Sequence, residues 1–130
     1  MKWFEKAIGK EKIIHMFNGE LTLNNVILNT FCCYDYKLDI SIYLLDLPNS
    51  FPIAWNKNVF NSIKVVLEFF NLLEVKLYAD NLYNLRGDVD LKFLDDKVEF
   101  NLINDKGVVL YSFSDVVRIA EIKPVKISNI

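Results

Sequence analysis

The chain has 130 residues, of which 52% are apolar, and its 15 lysines and arginines nearly balance its 17 aspartates and glutamates, for a formal net charge of −2. This length fits one domain, residues 1–130, large enough to bury a core without a metal or a disulfide. This charge balance gives no broad electrostatic attraction to DNA or RNA, whose binding requires a basic face. The nearly uncharged stretches, such as 25–34, are too short and too polar to span a bilayer.

The N-terminal segment, residues 1–19, is predicted to be helical over 2–17. Its apolar residues form two stripes at helical spacing, which are Trp3, Phe4, Ala7 and Ile8, then Ile13, Ile14 and Phe17. Gly9 lies between the stripes, so the pattern fits either two short helices or one weakened helix. Asn18-Gly19 is the predicted stop, because glycine tolerates the left-handed conformation that ends helices.

Beyond this segment, residues 20–130 change to a period of two, which is typical of strands. About eight strands are predicted, over 26–34, 38–45, 63–70, 74–78, 88–93, 98–102, 108–113 and 116–127. A parallel sheet needs helical crossovers, and no second long helix is present to supply one. We therefore expect a mainly β fold in which an N-terminal helix precedes an antiparallel sheet system. Whether that system is a sandwich or a single curved sheet stays open.

The hairpin that contains Asp95-Asp96 has the clearest alternation. One buried layer is predicted for six residues, Val89, Leu91, Phe93, Val98, Phe100 and Leu102. The alternate positions, among them Asp88 and Asp90, are predicted to face solvent. Arg86-Gly87-Asp88 is interpreted as a turn or bulge that enters a strand.

The two cysteines, Cys32 and Cys33, are neighbours. Adjacent strand residues point to opposite faces, so a disulfide between them would be strained. We predict two buried, reduced thiols. The N-terminus carries charges at Lys2, Glu5 and Lys6, and no apolar signal-peptide core follows them. Both observations favour a cytoplasmic protein.

No complete catalytic or metal-binding set is evident. Acyl transfer needs a nucleophile, a base and an orienting group, and the one histidine, His15, has only Cys32 or Cys33 as a partner. Nothing supplies activation of either thiol, and a metal site would need further Cys or His at ligand spacing. The chain is therefore predicted to be no enzyme and to hold no cofactor and no metal.

The loop from Asp46 to Asn61 is rich in proline and aromatic residues. Phe51 and Trp55 are large apolar groups on a connection expected near the surface. Two interpretations stay open. Both side chains fold back and plug the end of the core, or they contact a partner, since Trp is enriched at interface hot spots.

The same region resembles the immunity protein 50 family of bacterial polymorphic-toxin systems. The resemblance begins with Trp3 and the Gly9-containing segment that ends at Phe17-Asn18-Gly19, and it continues through 21–28. It is strongest in Phe51-Pro52-x-x-Trp55, then Phe60-Asn61, then the alternating strand 63–69. The later half matches in strand order and spacing, with Gly87 and the closing strand near 118–122.

This resemblance implies an antidote that binds and neutralises a cognate toxin without catalysis. The segment from Asp80 to Glu99 contains six acidic and three basic residues. This acidic excess would complement a basic toxin such as a nuclease, but a solvated strand face explains it as well. The candidate partner-binding residues are Phe51, Trp55, Asp88, Asp90, Asp95 and Asp96. The alternatives are a β-domain that binds a small ligand or peptide and, third, a hydrolase built on the acidic hairpin. The toxin and the oligomeric state stay open.

Overall fold

A computed structural model describes residues 2–57, 59–79 and 85–128 of the chain. It contains one α-helix, one 3-10 helix and eight strands. They are α1 (Glu11–Phe17), β1 (Val26–Tyr34), β2 (Lys37–Leu44), the 3-10 helix (Ile53–Lys57), β3 (Ser62–Phe70), β4 (Glu74–Leu77), β5 (Arg86–Leu94), β6 (Lys97–Asn104), β7 (Gly107–Ser114) and β8 (Val116–Val125). In these ranges no helix has the length and apolar character that crossing a membrane demands.

All eight strands pair antiparallel in one open sheet, in the order β4-β7-β6-β5-β1-β2-β3-β8. The predicted mainly β, antiparallel fold is confirmed. The two four-stranded halves of the sheet meet at β1 and β5, where the register contains Val26 opposite Gly87 and Ile27 opposite Arg86. Each half puts its apolar side chains into a common core. The architecture is therefore a single sheet that curves until its halves face each other.

The predicted hairpin layer is found at β5 and β6. Leu91, Val98, Phe100 and Leu102 are buried, and Val89 and Phe93 are partly buried against the same core. The two strands pair from Asp88 to Leu94, and Asp95-Asp96 forms the turn between them. Successive side chains of a strand point to opposite faces, so every second residue lies in the same layer. The buried layer therefore follows from the two-residue period of the sequence.

The helix is shorter than predicted and begins at Glu11, so the expectation of helix before Gly9 is wrong. Gly9 has a φ of +90°, and a Cβ built there would lie 2.8 Å from the carbonyl oxygen of Ile119. Ile8 instead pairs with β8, where it donates its N–H to Val117 and accepts one from Ile119. The predicted stop is confirmed, since Asn18 is left-handed with a φ of 54°.

Cys32 and Cys33 are free but exposed, which corrects the prediction that they are buried. Only the start of β1 is covered, with Val26 and Leu28 buried and most residues from Asn29 to Tyr34 exposed. This exposure depends on a contact between residues distant in sequence, the pairing of β1 with β5. Within the described ranges the β1–β5 pairing extends as far as Ile27, so the second half of the sheet covers the beginning of β1 and not its end.

Candidate partner-binding surface

The residues considered for chemistry lie at the surface. His15 is exposed on α1, and Cys32 and Cys33 are exposed on β1. Partial desolvation of its sulfur, and next the neighbouring Cys32, raise the pKa of the Cys33 thiol although the residue is exposed, which keeps that thiol in its less nucleophilic protonated form. Within the described ranges no group of three or more His, Cys, Asp or Glu side chains could hold a metal ion.

Phe51 and Trp55 fold back onto the core. This agrees with the first interpretation of their loop, in which both side chains plug the end of the core. Both are partly buried. The Trp55 ring lies 5.7 Å from Phe17, 6.3 Å from Phe51 and 5.9 Å from Phe60, centroid to centroid. This aromatic cluster closes the end of the sheet where β3 begins. Contact of either residue with a partner stays a prediction.

The four predicted aspartates of the hairpin have different surroundings. Asp88 accepts a hydrogen bond of 2.7 Å from the backbone N–H of Asn25, which fixes the left-handed residue at the entry to β1. Asp90 pairs with Lys92 at 3.4 Å. Asp95 and Asp96 are exposed on the turn. At about 3.3 Å per residue, Asp88 and Asp95 are about 23 Å apart along the strand.

The structure does not bring the six predicted residues into one site. The cluster of Phe51 and Trp55 lies beside Phe60, immediately before β3 begins. Asp95 and Asp96 lie at the other end, because Lys97 bridges to Asp115 at 3.0 Å and the N–H of Asp115 donates to Phe70, the last residue of β3. Asp80, part of the acidic excess in the sequence, lies outside the described residues.

The end that carries Asp95 and Asp96 also presents a residue that the sequence interpretation missed. The β1–β2 turn consists of Asp35 and Tyr36, with φ values of 48° and 58°. These angles suit a two-residue hairpin turn but are unusual for a tyrosine. Tyr36 is 82% exposed, more than any other aromatic side chain in the described part of the chain. The predicted pairing of the two strands is enough to place Tyr36 in the turn between them. It does not predict how far the side chain of Tyr36 is exposed.

Several charged side chains next to this turn are held in ion pairs. Lys37 contacts Glu68 at 2.8 Å and Asp39 at 3.4 Å, and Arg118 contacts Glu68 at 3.0 Å. The hydrogen bond to Glu68 is the main cause that raises the pKa of Lys37 well above its usual range. Lys37 therefore stays charged at physiological pH and is engaged by carboxylates of its own chain.

A cleft of about 420 Å³ lies beside the C-terminal end of α1. Its walls come from the segments 17–22 and 46–50. The volume falls within the range of small-ligand sites, but such sites enclose most of their ligand's surface. This cleft is open to solvent, and its lining includes Asn18, Glu20, Asp46 and Asn49.

Comparison with known proteins identifies the family. No curated protein and no solved structure matches the chain. The family model described as immunity protein 50 matches residues 9–125, which is most of the 130 residues. The matched region runs from Gly9 to the last residue of β8 and so includes α1 and every strand. The chain belongs to the immunity protein 50 family.

Proposed function

We propose that this protein binds a cognate bacterial toxin domain in the cytoplasm and blocks it without catalytic turnover. The observation that carries the proposal is the family match over residues 9–125, because an immunity protein in general implies a toxin as protein partner. The surroundings of the candidate catalytic groups agree with this. Neither His15 nor the two cysteines lies in a buried, activating environment.

The size of the molecule suits such a role. A stable protein complex buries about 800 Å² on each partner, and the accessible surface of this chain is 7558 Å². One face or one end of the sheet can supply that area. The exposed surface also carries large apolar side chains, among them Tyr34, Tyr36, Leu73 and Tyr78. Side chains of this kind provide the anchors of protein interfaces.

Co-expression with the toxin encoded by the adjacent gene tests the proposal. We expect cells that make both proteins to survive and the two proteins to copurify. A titration separates blockade from turnover. A binding antidote protects only when it reaches an equimolar amount, whereas an enzyme would protect well below that ratio.

Variants of the reactive groups complete this test. His15→Ala and Cys32→Ser/Cys33→Ser change exposed side chains, so we expect folded proteins with full protection. Loss of protection in a folded variant that still binds the toxin would contradict the proposed mechanism. Absence of both a complex and protection with the wild-type protein would contradict the proposed function itself.

A further inference from the structure

We infer that the toxin docks on the end of the sheet formed by the turns 35–36, 71–73 and 95–96 together with Asp115, here named the acidic end. We also infer the chemistry of the docking partner, which is a protein surface with lysines and arginines around an apolar centre. This inference rests on the proposed function and adds to it the face used and the character of the toxin surface.

The acidic end is one continuous surface, which successive contacts demonstrate. The carbonyl oxygen of Tyr36 accepts the N–H of Leu72 at 2.7 Å, which joins the first turn to the connection after β3. Asn71 donates its side-chain amide to Asp115 at 3.1 Å. Asp115 in turn pairs with Lys97, the residue that follows the turn Asp95-Asp96. All three turns and the β7–β8 connection therefore lie side by side.

Large apolar side chains stand exposed on this surface. Tyr36 is 82% exposed, Leu73 59%, and Tyr34 and Leu94 each 46%. Tyrosine is among the residues most enriched at interface hot spots. Tyr36 also holds a left-handed backbone conformation that asparagine or glycine would adopt with less strain. A strained and exposed aromatic residue is explained when its side chain is used for binding.

The charge around these side chains determines what kind of partner fits. Within three ladder positions of the acidic end, counted from the turns 35–36 and 95–96, carboxylates and cations occur in the ratio of two to one. The carboxylates are Asp35, Asp39, Glu68, Glu74, Asp95, Asp96, Glu99 and Asp115, and the cations are Lys37, Lys92, Lys97 and Arg118. Eight against four is a formal charge of −4, and since the whole chain carries −2, the remainder carries +2.

The four cations of the acidic end are all engaged within the chain. Lys37, Lys92, Lys97 and Arg118 each pair with a carboxylate of this chain. Asp35 and Asp95, by contrast, form no ion pair within the described ranges, and both are exposed. Complementary charge speeds the encounter of two proteins, while buried anchors slow their separation. We therefore expect the unpaired aspartates to act on association and Tyr36 to act on dissociation.

Binding kinetics with the purified toxin domain encoded by the adjacent gene test this inference. Tyr36→Gly and Tyr36→Asn remove the ring and suit the backbone conformation, so we expect an unchanged or higher Tm. We expect the dissociation constant to rise about tenfold or more, mainly through faster dissociation. The matched control is Ile53→Ala, since Ile53 is 85% exposed on the opposite end and should leave binding unchanged.

A second pair of variants tests the charge. Asp35→Asn/Asp95→Asn removes two charges while keeping residues that tolerate a positive φ. We expect slower association and a weaker dependence of its rate on salt, with Asp105→Asn on the β6–β7 turn as the control. A wild-type complex that both sets of variants leave unaltered would overturn the docking face, though not the proposed function. Failure of the wild-type chain to bind at all would overturn both. Sedimentation that shows a dimer of this chain, lost in Tyr36→Gly, would assign the face to a second copy and also overturn the inference.

Discussion

The rings of Phe69 and Phe100 meet edge to face, with their centroids 5.4 Å apart and their planes at 66°. Phe69 belongs to β3 and Phe100 to β6, strands that lie in different halves of the sheet. Both side chains are fully buried. This contact shows how one open sheet encloses a core, because its halves turn toward each other and pack their inner faces together.

Truncation of Phe100 should therefore affect both halves at once. We expect Phe100→Ala to lower the free energy of unfolding by about 3–5 kcal/mol, since it removes a buried ring and leaves a cavity. Urea unfolding measures the change. Leu94→Ala on the same hairpin is the control, because Leu94 is 46% exposed and should cost far less. A Phe100→Ala protein as stable as the wild type would contradict the packing described.

The strands follow from the sequence because burial alternates over neighbouring residues. Val98, Phe100 and Leu102 point to one face whatever the rest of the chain does. The N-terminal segment and the cysteines could not be predicted in this way. Ile8 belongs to an apolar pattern typical of a helix, but its backbone instead pairs with β8, more than a hundred residues away in sequence. The exposure of Cys32 likewise depends on where β5 pairs with β1.

The candidate surface likewise combines residues that local sequence predicts with residues that only distant contacts bring together. The sequence suggested Asp95 and Asp96, since a turn between two alternating strands is exposed for local reasons. It did not suggest Tyr36 as their neighbour, because 59 residues separate Tyr36 from Asp95 and only the folded sheet unites their turns. The partial burial of Phe51 and Trp55 also depends on distant residues, in particular on Phe17 of α1.

Trp55 distinguishes packing from partner contact. Trp55→Ala removes ring contacts with Phe17, Phe51 and Phe60, so we expect the free energy of unfolding to fall by about 2 kcal/mol or more. Thermal unfolding and toxin binding are measured on the same sample. Ile53→Ala, in the same 3-10 helix but 85% exposed, should change stability by less than about 0.5 kcal/mol. Faster dissociation from the toxin by a folded, undestabilised Trp55→Ala protein would show instead that Trp55 is an interface anchor.

Asn61 attaches the segment after β8 to the start of β3. Its side-chain amide donates to the carbonyl oxygen of Ile127 at 2.7 Å, and the N–H of Ile127 donates back to the Oδ1 of Asn61 at 2.8 Å. We expect Asn61→Ala to cost about 1–2 kcal/mol and to speed amide hydrogen exchange at Ile127. Asn49→Ala, on the exposed loop before the 3-10 helix, is the control. Unchanged exchange at Ile127 would show that the two hydrogen bonds do not hold this segment.

Asp115 should make stability depend on pH in the acid range. Its hydrogen bond from Lys97, and next that from Asn71, lower the pKa of Asp115 below its ordinary value of 3.8. A carboxyl with a lower pKa in the folded state binds fewer protons there than in the unfolded state. Its stabilising contribution is therefore complete above pH 3.8 and is lost progressively as the pH falls below that value toward the folded-state pKa.

Asp115→Asn removes this contribution at all pH values. We expect the variant to unfold at a lower Tm than the wild type at pH 7 and the difference between the two to shrink as the pH is lowered through the range below 3.8. Asp105→Asn removes a carboxylate that forms no ion pair in the described part of the chain, and its difference from the wild type should stay nearly constant with pH. A constant difference for Asp115→Asn as well would mean that the contacts with Lys97 and Asn71 do not stabilise the ionised carboxyl. The acidic end would then be held together by its backbone hydrogen bonds, such as that from Asp115 to Phe70, and not by this ion pair.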